Sequence, residues 1–139
     1  LLPLDECLAW PAGGMAQWND RFNREVRSLL FLLQALEPEL STTTDGKLRV
    51  LSASIGGSDF ATDESTPDAT HPWRGGLAGL LKVAACEWPQ HAFRAVDFTE
   101  LPPADVLLEE LTASGPVEIG YRAGRRLQIQ TRRIELSDL

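Results

Sequence analysis

The side chains able to do chemistry are few and widely spaced. Tyr121 is the only tyrosine among the 139 residues. An unassisted phenol, with a pKa of about 10, is a poor acid–base catalyst at neutral pH. Ser52 and Ser54 close a β-prone run, and Asp97 ends another, the position best placed for chemistry in an α/β fold. With no partner in sequence reach, Ser52 and Ser54 are read as structural. Asp97 is read as a cap for the loop before the next helix. Glu109 and Glu110 are neighbours on a helix and point in different directions. His71 and His91 have no Cys or His at zinc spacing, so no metal site is expected. There is no G-x-S-x-G elbow and no phosphate-binding P-loop. Gly13-Gly14 lacks a third glycine and a strong preceding strand. Gly75-Gly76-Leu-Ala-Gly79 lies inside a helix, where glycines serve close packing of helix on sheet. Neither is the strand–glycine turn–helix that a dinucleotide needs. No catalytic, cofactor-binding or metal-binding residue is therefore expected in this chain.

Charge and composition narrow the partners. Twenty acidic and thirteen basic residues give a net charge of −7 and a pI near 4.8. An acidic surface repels a phosphate backbone, which argues against nucleic acid. Arg122, Arg125, Arg126, Arg132 and Arg133 crowd into the last 18 residues. They form either an anion-facing or phosphopantetheine-facing patch, or simply two exposed strand faces and a turn, the plainer reading. Hydrophobic residues at 43% and charged residues at 24% describe a folded globular domain. The longest apolar run, Leu29 to Leu33, is five residues, whereas a bilayer span needs about 20. Asp5 and Glu6 stand where a secretory signal would be basic. Cys7 and Cys86 make no disulfide framework, so they are read as reduced and the chain as cytoplasmic. Beginning at Leu1 rather than Met, the chain reads as a piece of a longer polypeptide.

The elements that must position these groups follow from periodicity. Leu1 to Pro11 reads as a strand end or entry loop. Trp18, Phe22, Val26, Leu29, Leu30, Leu33 and Leu36 recur at helical spacing. Phe31 and Leu32 make the last turns apolar all round, which predicts deep burial there. Pro38 predicts the helix end near Leu36 or Glu37, with a polar loop over Ser41–Gly46. Lys47–Ser54 reads as a strand covered on both faces, and Gly56–Thr70 as a loop. Leu77, Leu80, Leu81, Ala84, Ala85 and Trp88 define a second helix from Trp73 to Trp88, with Leu81 and Trp88 in the core. Phe93–Phe98 is the next strand. Pro102-Pro103 opens a third helix burying Val106, Leu107, Leu108 and Leu111. Val117–Tyr121 and Leu127–Thr131 alternate as a final strand pair around Ala123-Gly124. The order α, β, α, β, α, β, β predicts one domain over residues 1–139. It is a truncated Rossmann-like, doubly wound, mostly parallel sheet with helices on both faces and a C-terminal strand pair.

Three blocks carry a resemblance: His71-Pro-Trp-Arg-Gly-Gly-Leu-Ala-Gly-Leu-Leu-Lys-Val-Ala-Ala-Cys-Glu-Trp-Pro89, Phe93-Arg-Ala-Val-Asp-Phe98, and Pro116-Val-Glu-Ile-Gly-Tyr-Arg-Ala-Gly-Arg-Arg126. In order and spacing they resemble the ketoreductase region of type I polyketide synthases, most of all the iterative, enediyne and polyunsaturated-fatty-acid types. The similarity covers about residues 18 to 133. That region consists of two short-chain-dehydrogenase-like halves. The resemblance is to the first, a truncated structural subdomain without catalytic residues; the second carries NADPH and a Ser-Tyr-Lys set. Leu48–Ser54 likewise resembles the catalytic strand of short-chain dehydrogenases. The tyrosine expected about a dozen residues later is missing, and Arg125, four after Tyr121, cannot replace the lysine. The resemblance implies one or two further β-α units before the Trp18 helix. It also implies a role within a multidomain synthase that reduces β-ketoacyl thioesters on an acyl carrier, this chain being no enzyme by itself. The expected partners are the catalytic ketoreductase half, which would hold the NADPH, and neighbouring synthase domains. The alternatives are a stand-alone docking module for an acyl carrier domain, suited to the Arg122–Arg133 cluster, and a free-standing reductase.

Overall fold

A computed structural model describes residues 14–44, 48–58, 60 and 73–130 (the side chains of 14, 15, 17, 73 and 74 excepted), and the structural statements below concern these. The chain is α/β with an open, mixed sheet of four strands in the order β1-β2-β3-β4. The strands are β1 Arg49–Ile55, β2 Ala92–Phe98, β3 Glu118–Arg122 and β4 Arg125–Gln128. The helices are α1 Gly14–Phe22, α2 Ser28–Ala35, α3 Glu37–Thr42, α4 Trp73–Glu87 and α5 Ala104–Thr112. Strands β1, β2 and β3 are parallel, and β4 returns antiparallel to β3. The β3–β4 link is a two-residue turn with positive φ at Ala123 (50°) and Gly124 (70°). That twist matches flanking strands of right-handed twist.

The long N-terminal helix is continuous but not uniform. Between α1 and α2 the chain makes a π-helical turn, Asn23–Arg27, whose Val26 is buried. Val26 approaches α4 at Gly76, where an added Cβ would meet its Cγ2 at 3.2 Å. Gly76 therefore permits helix-on-helix packing, not the helix-on-sheet packing expected from sequence. Pro38 does not end the helical path. Leu36 adopts φ −88° and ψ −3°, and α3 follows with Pro38 in its first turn. A proline there forfeits no hydrogen bond, because first-turn N–H groups have no intrahelical acceptor. Ser41 and Thr42 thus belong to α3 rather than to a loop, and Leu40 is wholly buried.

Side-chain parity separates two cores. On one face Phe93 and Ala95 of β2 pack with Ala78, Leu81 and Ala84 of α4, and with Leu33 and Leu40. On the other Val96, Phe98 and Ile119 pack with Val106 and Leu107 of α5. Leu81 is fully buried, and Trp88 is half-buried just past the end of α4. His91 pins the entrance of β1: its Nδ1 accepts from Leu48 N–H at 3.3 Å and its Nε2 lies 2.8 Å from the Leu40 carbonyl. The end of α2 is not deeply buried, contrary to expectation. Leu30, Phe31 and Leu32 are 37%, 55% and 49% exposed, because the sheet and α4 cover one side only. Leu108 also faces outward, at 64% exposure, and Glu110 is buried in its place.

Both parallel steps, β1 to β2 and β2 to β3, advance in the same direction across the sheet. Yet α4 and α5 lie on opposite faces. The two crossovers must then have opposite hands, although about 98% of such connections are right-handed. Something specific must hold α5 on its face. Among the described residues no helix is long and apolar enough to cross a membrane. The packing predicts that Leu81→Ala lowers stability by about 2–5 kcal/mol, whereas Leu108→Ala changes it by about 0.5 kcal/mol or less; urea melts of the two variants check this.

Candidate functional site

In α/β sheets ligands bind beyond the carboxyl ends of the strands, so this edge is the first place to look. Strand register sets which side chains meet there. Ser54 pairs with Asp97, and Asp97 with Gly120, all on the α4 face; Ile55, Phe98 and Tyr121 share the α5 face. Ser54 and Tyr121 therefore project to opposite sides of the sheet and cannot act on one substrate atom. The Ser54 hydroxyl donates to Asp97 Oδ1 at 2.7 Å, and the Phe60 N–H donates to Asp97 Oδ2 at 3.0 Å. Asp97 is completely buried. It holds the segment after β1, not the loop before α5 as its position in sequence suggested. The physical reason is distance along the ladder, since its register partner is Ser54.

That segment closes over the strand ends. Gly56 and Gly57 N–H groups donate to the Phe98 carbonyl at 3.0 and 3.2 Å. Gly57 and Ser58 then take positive φ, 101° and 76°. The Ser58 carbonyl comes so close to Gly120 that an added Cβ would lie 1.7 Å from it. Arg122 fixes the arrangement, donating from Nε to Ser58 Oγ at 2.9 Å and from Nη2 to the Gly57 carbonyl at 3.1 Å. The space above β3, where a pyrophosphate would need bare backbone, holds the protein's own main chain.

A second cluster lies on the α5 face. Glu110 is 2% exposed. It accepts from Arg94 Nη1 at 3.0 Å and from the Tyr121 hydroxyl at 2.7 Å, and it pairs with Arg126. Burial pushes its carboxyl up, but the hydrogen bonds from Arg126 and Tyr121 and both positive charges outweigh this, so its pKa falls below the ordinary carboxylate value. Burial first, and then its bond to Glu110, push the Tyr121 phenol up to about 12. A phenol so held is a worse proton donor than a free one, and Glu110 has no lone pair aimed at solvent. The cluster is chemically quiet and mechanically important, because its donors come from β2, β3 and β4.

Sequence reasoning singled out Tyr121, Arg122, Arg125 and Arg126, set Glu110 aside as a helix neighbour of Glu109, and missed Arg94. A charged residue within the apolar run Phe93-Arg-Ala-Val was the available signal, since a buried charge requires a buried partner. Arg122 and Arg126 have partners within the chain, yet both stay exposed, as the reading of exposed strand faces and a turn expected. Arg125 is exposed. Cys86 is an exposed free thiol. Cys7, Gly13, His71, Arg132, Arg133 and the Leu1–Pro11 segment lie outside the described residues. Among the described residues no three His, Cys, Asp or Glu side chains converge as a metal site. Large apolar side chains exposed on neighbouring helices include Leu30, Phe31 and Leu32 on α2 and Val83 on α4, the last 54% exposed, with the Arg27 guanidinium over the Phe31 ring.

Two measurements follow from this geometry. Gly120→Ala should destabilise the fold by at least about 2 kcal/mol, because its methyl collides with main chain rather than with a flexible side chain; a urea melt reads this directly. Glu110→Gln should cost about 3–5 kcal/mol by leaving two guanidiniums without their anion. The signs of the pH effects differ. The depressed Glu110 pKa gives stability that is present above the unfolded value, about 4.3, and lost as pH falls through the folded value. The raised Tyr121 pKa gives stability that is complete below about 10 and lost as pH rises through about 12. Melts of Tyr121→Phe across the alkaline range should lack the second loss.

Comparison of the chain with known proteins found no matching family model, no matching curated protein and no matching solved structure.

Proposed function

We propose that this chain is the structural, non-catalytic half of a polyketide-synthase β-ketoacyl reductase, a truncated doubly wound Rossmann-like subdomain that scaffolds an NADPH-binding catalytic half in the cytoplasm. The observation that carries the reading is the apolar face of Leu30, Phe31, Leu32 and Val83. It lies on α2 and α4, the helices before and after β1 in sequence, with only the short α3 between α2 and the strand. In the short-chain family that the sequence resembles, subunits associate through the helices around the catalytic strand. The two helices are neighbours, and large apolar side chains left exposed on them mark an association surface.

Other features favour the same reading. A parallel β1 covered on both faces is the environment of an interior strand. The bonds from Ala92 N–H to Leu48 O and from Gly56 N–H to Phe98 O set its ladder phase. By that phase the backbone groups of Arg49, Leu51, Ala53 and Ile55 point away from β2, and among the described residues no strand meets them. Further β-α units before α1 would supply one. Arg122 and Arg126 already spend hydrogen bonds on Ser58, Gly57 and Glu110, which weakens the alternative of a basic docking patch for an acyl carrier.

The test co-expresses the catalytic half with and without this chain and assays reduction of a β-ketoacyl thioester surrogate. Without the chain, solubility and activity should fall. Phe31→Asp should weaken association by about 10–100-fold, as expected for losing one buried phenyl group, with the isolated chain's melt unchanged. The chain alone should show no saturable NADPH binding tighter than about 100 μM. Unchanged activity without the segment, or halves that stay associated after Phe31→Asp, would overturn the scaffold role.

A further inference from the structure

The end of the sheet opposite the closed one carries a cleft. It runs across the amino ends of β1, β2 and β3, between the C-terminal ends of α4 and α5, and has a volume of about 310 Å³. That is within the range of small-molecule sites, roughly 300–1,000 Å³. Its apolar walls include Ala85, Phe93 and Val117, and its charged wall is Arg49 and Arg94. These arginines stand on neighbouring strands and on the same face, since Arg94 pairs with Leu51 and side chains two apart share a face.

Both guanidiniums cap α5. Arg49 Nη1 donates to the Leu111 and Thr112 carbonyls, each at 3.1 Å, and Arg94 Nη2 to the Ala113 carbonyl at 2.8 Å. The capping leaves donors over. Nε and Nη2 of Arg49, and Nε of Arg94, have no partner among the described residues. The charges are also unequally matched. Arg94 and Arg126 share one carboxylate, Glu110, whereas Arg49 meets only helix-end carbonyls and has no carboxylate partner among the described residues. Arg94 is 6% exposed, and burial together with the nearby Arg126 holds its pKa below the usual arginine value despite Glu110.

We propose that this cleft binds a small carboxylate carried on a short apolar body, the carboxylate on Arg49 and Arg94 and the apolar part against Phe93 and Val117. The site does not depend on the scaffold reading. It lies at the edge of the sheet away from the loop that closes the strand ends.

Benzoate is the probe and benzamide its uncharged control, titrated into the full isotope-labelled chain and followed by amide chemical shifts. Benzoate should saturate, with the largest shifts at Ala92, Ser114 and Gly115, and benzamide should bind at least about tenfold more weakly. Arg49→Gln should weaken benzoate by at least about tenfold, and Arg49→Lys by less, because a lysine keeps the charge but loses the fork. Equal binding of benzamide, shifts scattered over the surface, or full affinity in a folded Arg49→Gln protein would overturn the proposal. If Arg49→Gln does not fold, the comparison of benzoate with benzamide on the unaltered chain decides it.

Discussion

A carboxylate cannot remain ionised in a protein interior unless other groups replace its water, and Glu110 meets that condition with side chains from three strands. Arg94 reaches it from β2, Tyr121 from β3 and Arg126 from β4. Removing two or three charges from water costs several kcal/mol each, recovered only when geometry and hydrogen bonding are good. The recovery here requires α5 to lie under β1 and β2 and requires the β3–β4 hairpin to fold back over the same face. The placement of α5 is otherwise disfavoured, since it gives two same-direction parallel crossovers opposite hands. The apolar contribution of α5 is modest. Val106 and Leu107 face the core, while Leu108 is exposed. The ionic cluster thus supplies the directional part of an attachment that hydrophobic burial, being non-directional, cannot specify.

The two ends of the sheet are treated differently. At the carboxyl ends Gly56, Gly57, Ser58 and Phe60 lie over β2 and β3, tied by Asp97 and Arg122 and admitted by the missing side chain of Gly120. At the amino ends the arginines cap a helix and a cleft stays open. The carboxyl ends of β2 and β3 are thereby covered by structure, while large apolar side chains stay exposed on α2 and α4. A fold so arranged is suited to association with a second body, which is the physical content of the scaffold proposal.

Legibility in sequence followed the range of the interaction. The first three strands could be read to within two residues of their ends and the fourth to within three, and the two-residue turn at Ala123-Gly124 was legible too, because alternation and turn chemistry are local. Helices α4 and α5 were equally legible through their spacing and their proline boundaries. Pro38 misled for a local reason too. A proline both ends one helix and begins another, and periodicity alone cannot tell a stop from a restart. Of the two serines read as strand-end residues, Ser54 lies near the end of β1 and Ser52 at its middle, and their sequence neighbours did not disclose that Ser54 binds Asp97 forty-three positions away.

By itself the sequence determined the strands, the helices α4 and α5 with their order, and the apolar identity of the N-terminal helix. Only the tertiary structure decided which apolar residues went inside. Phe31 and Leu108 are as hydrophobic as Leu33 and Leu107, and they differ only in which side a neighbouring element covers. The tertiary structure also paired the charges. Glu110 and Arg94 are sixteen residues apart, and Arg122 and Ser58 are sixty-four apart. Such pairs form only once the strands are in register and the helices docked, because desolvation makes an ion pair strong or costly according to what surrounds it, and the surroundings are built by the rest of the chain.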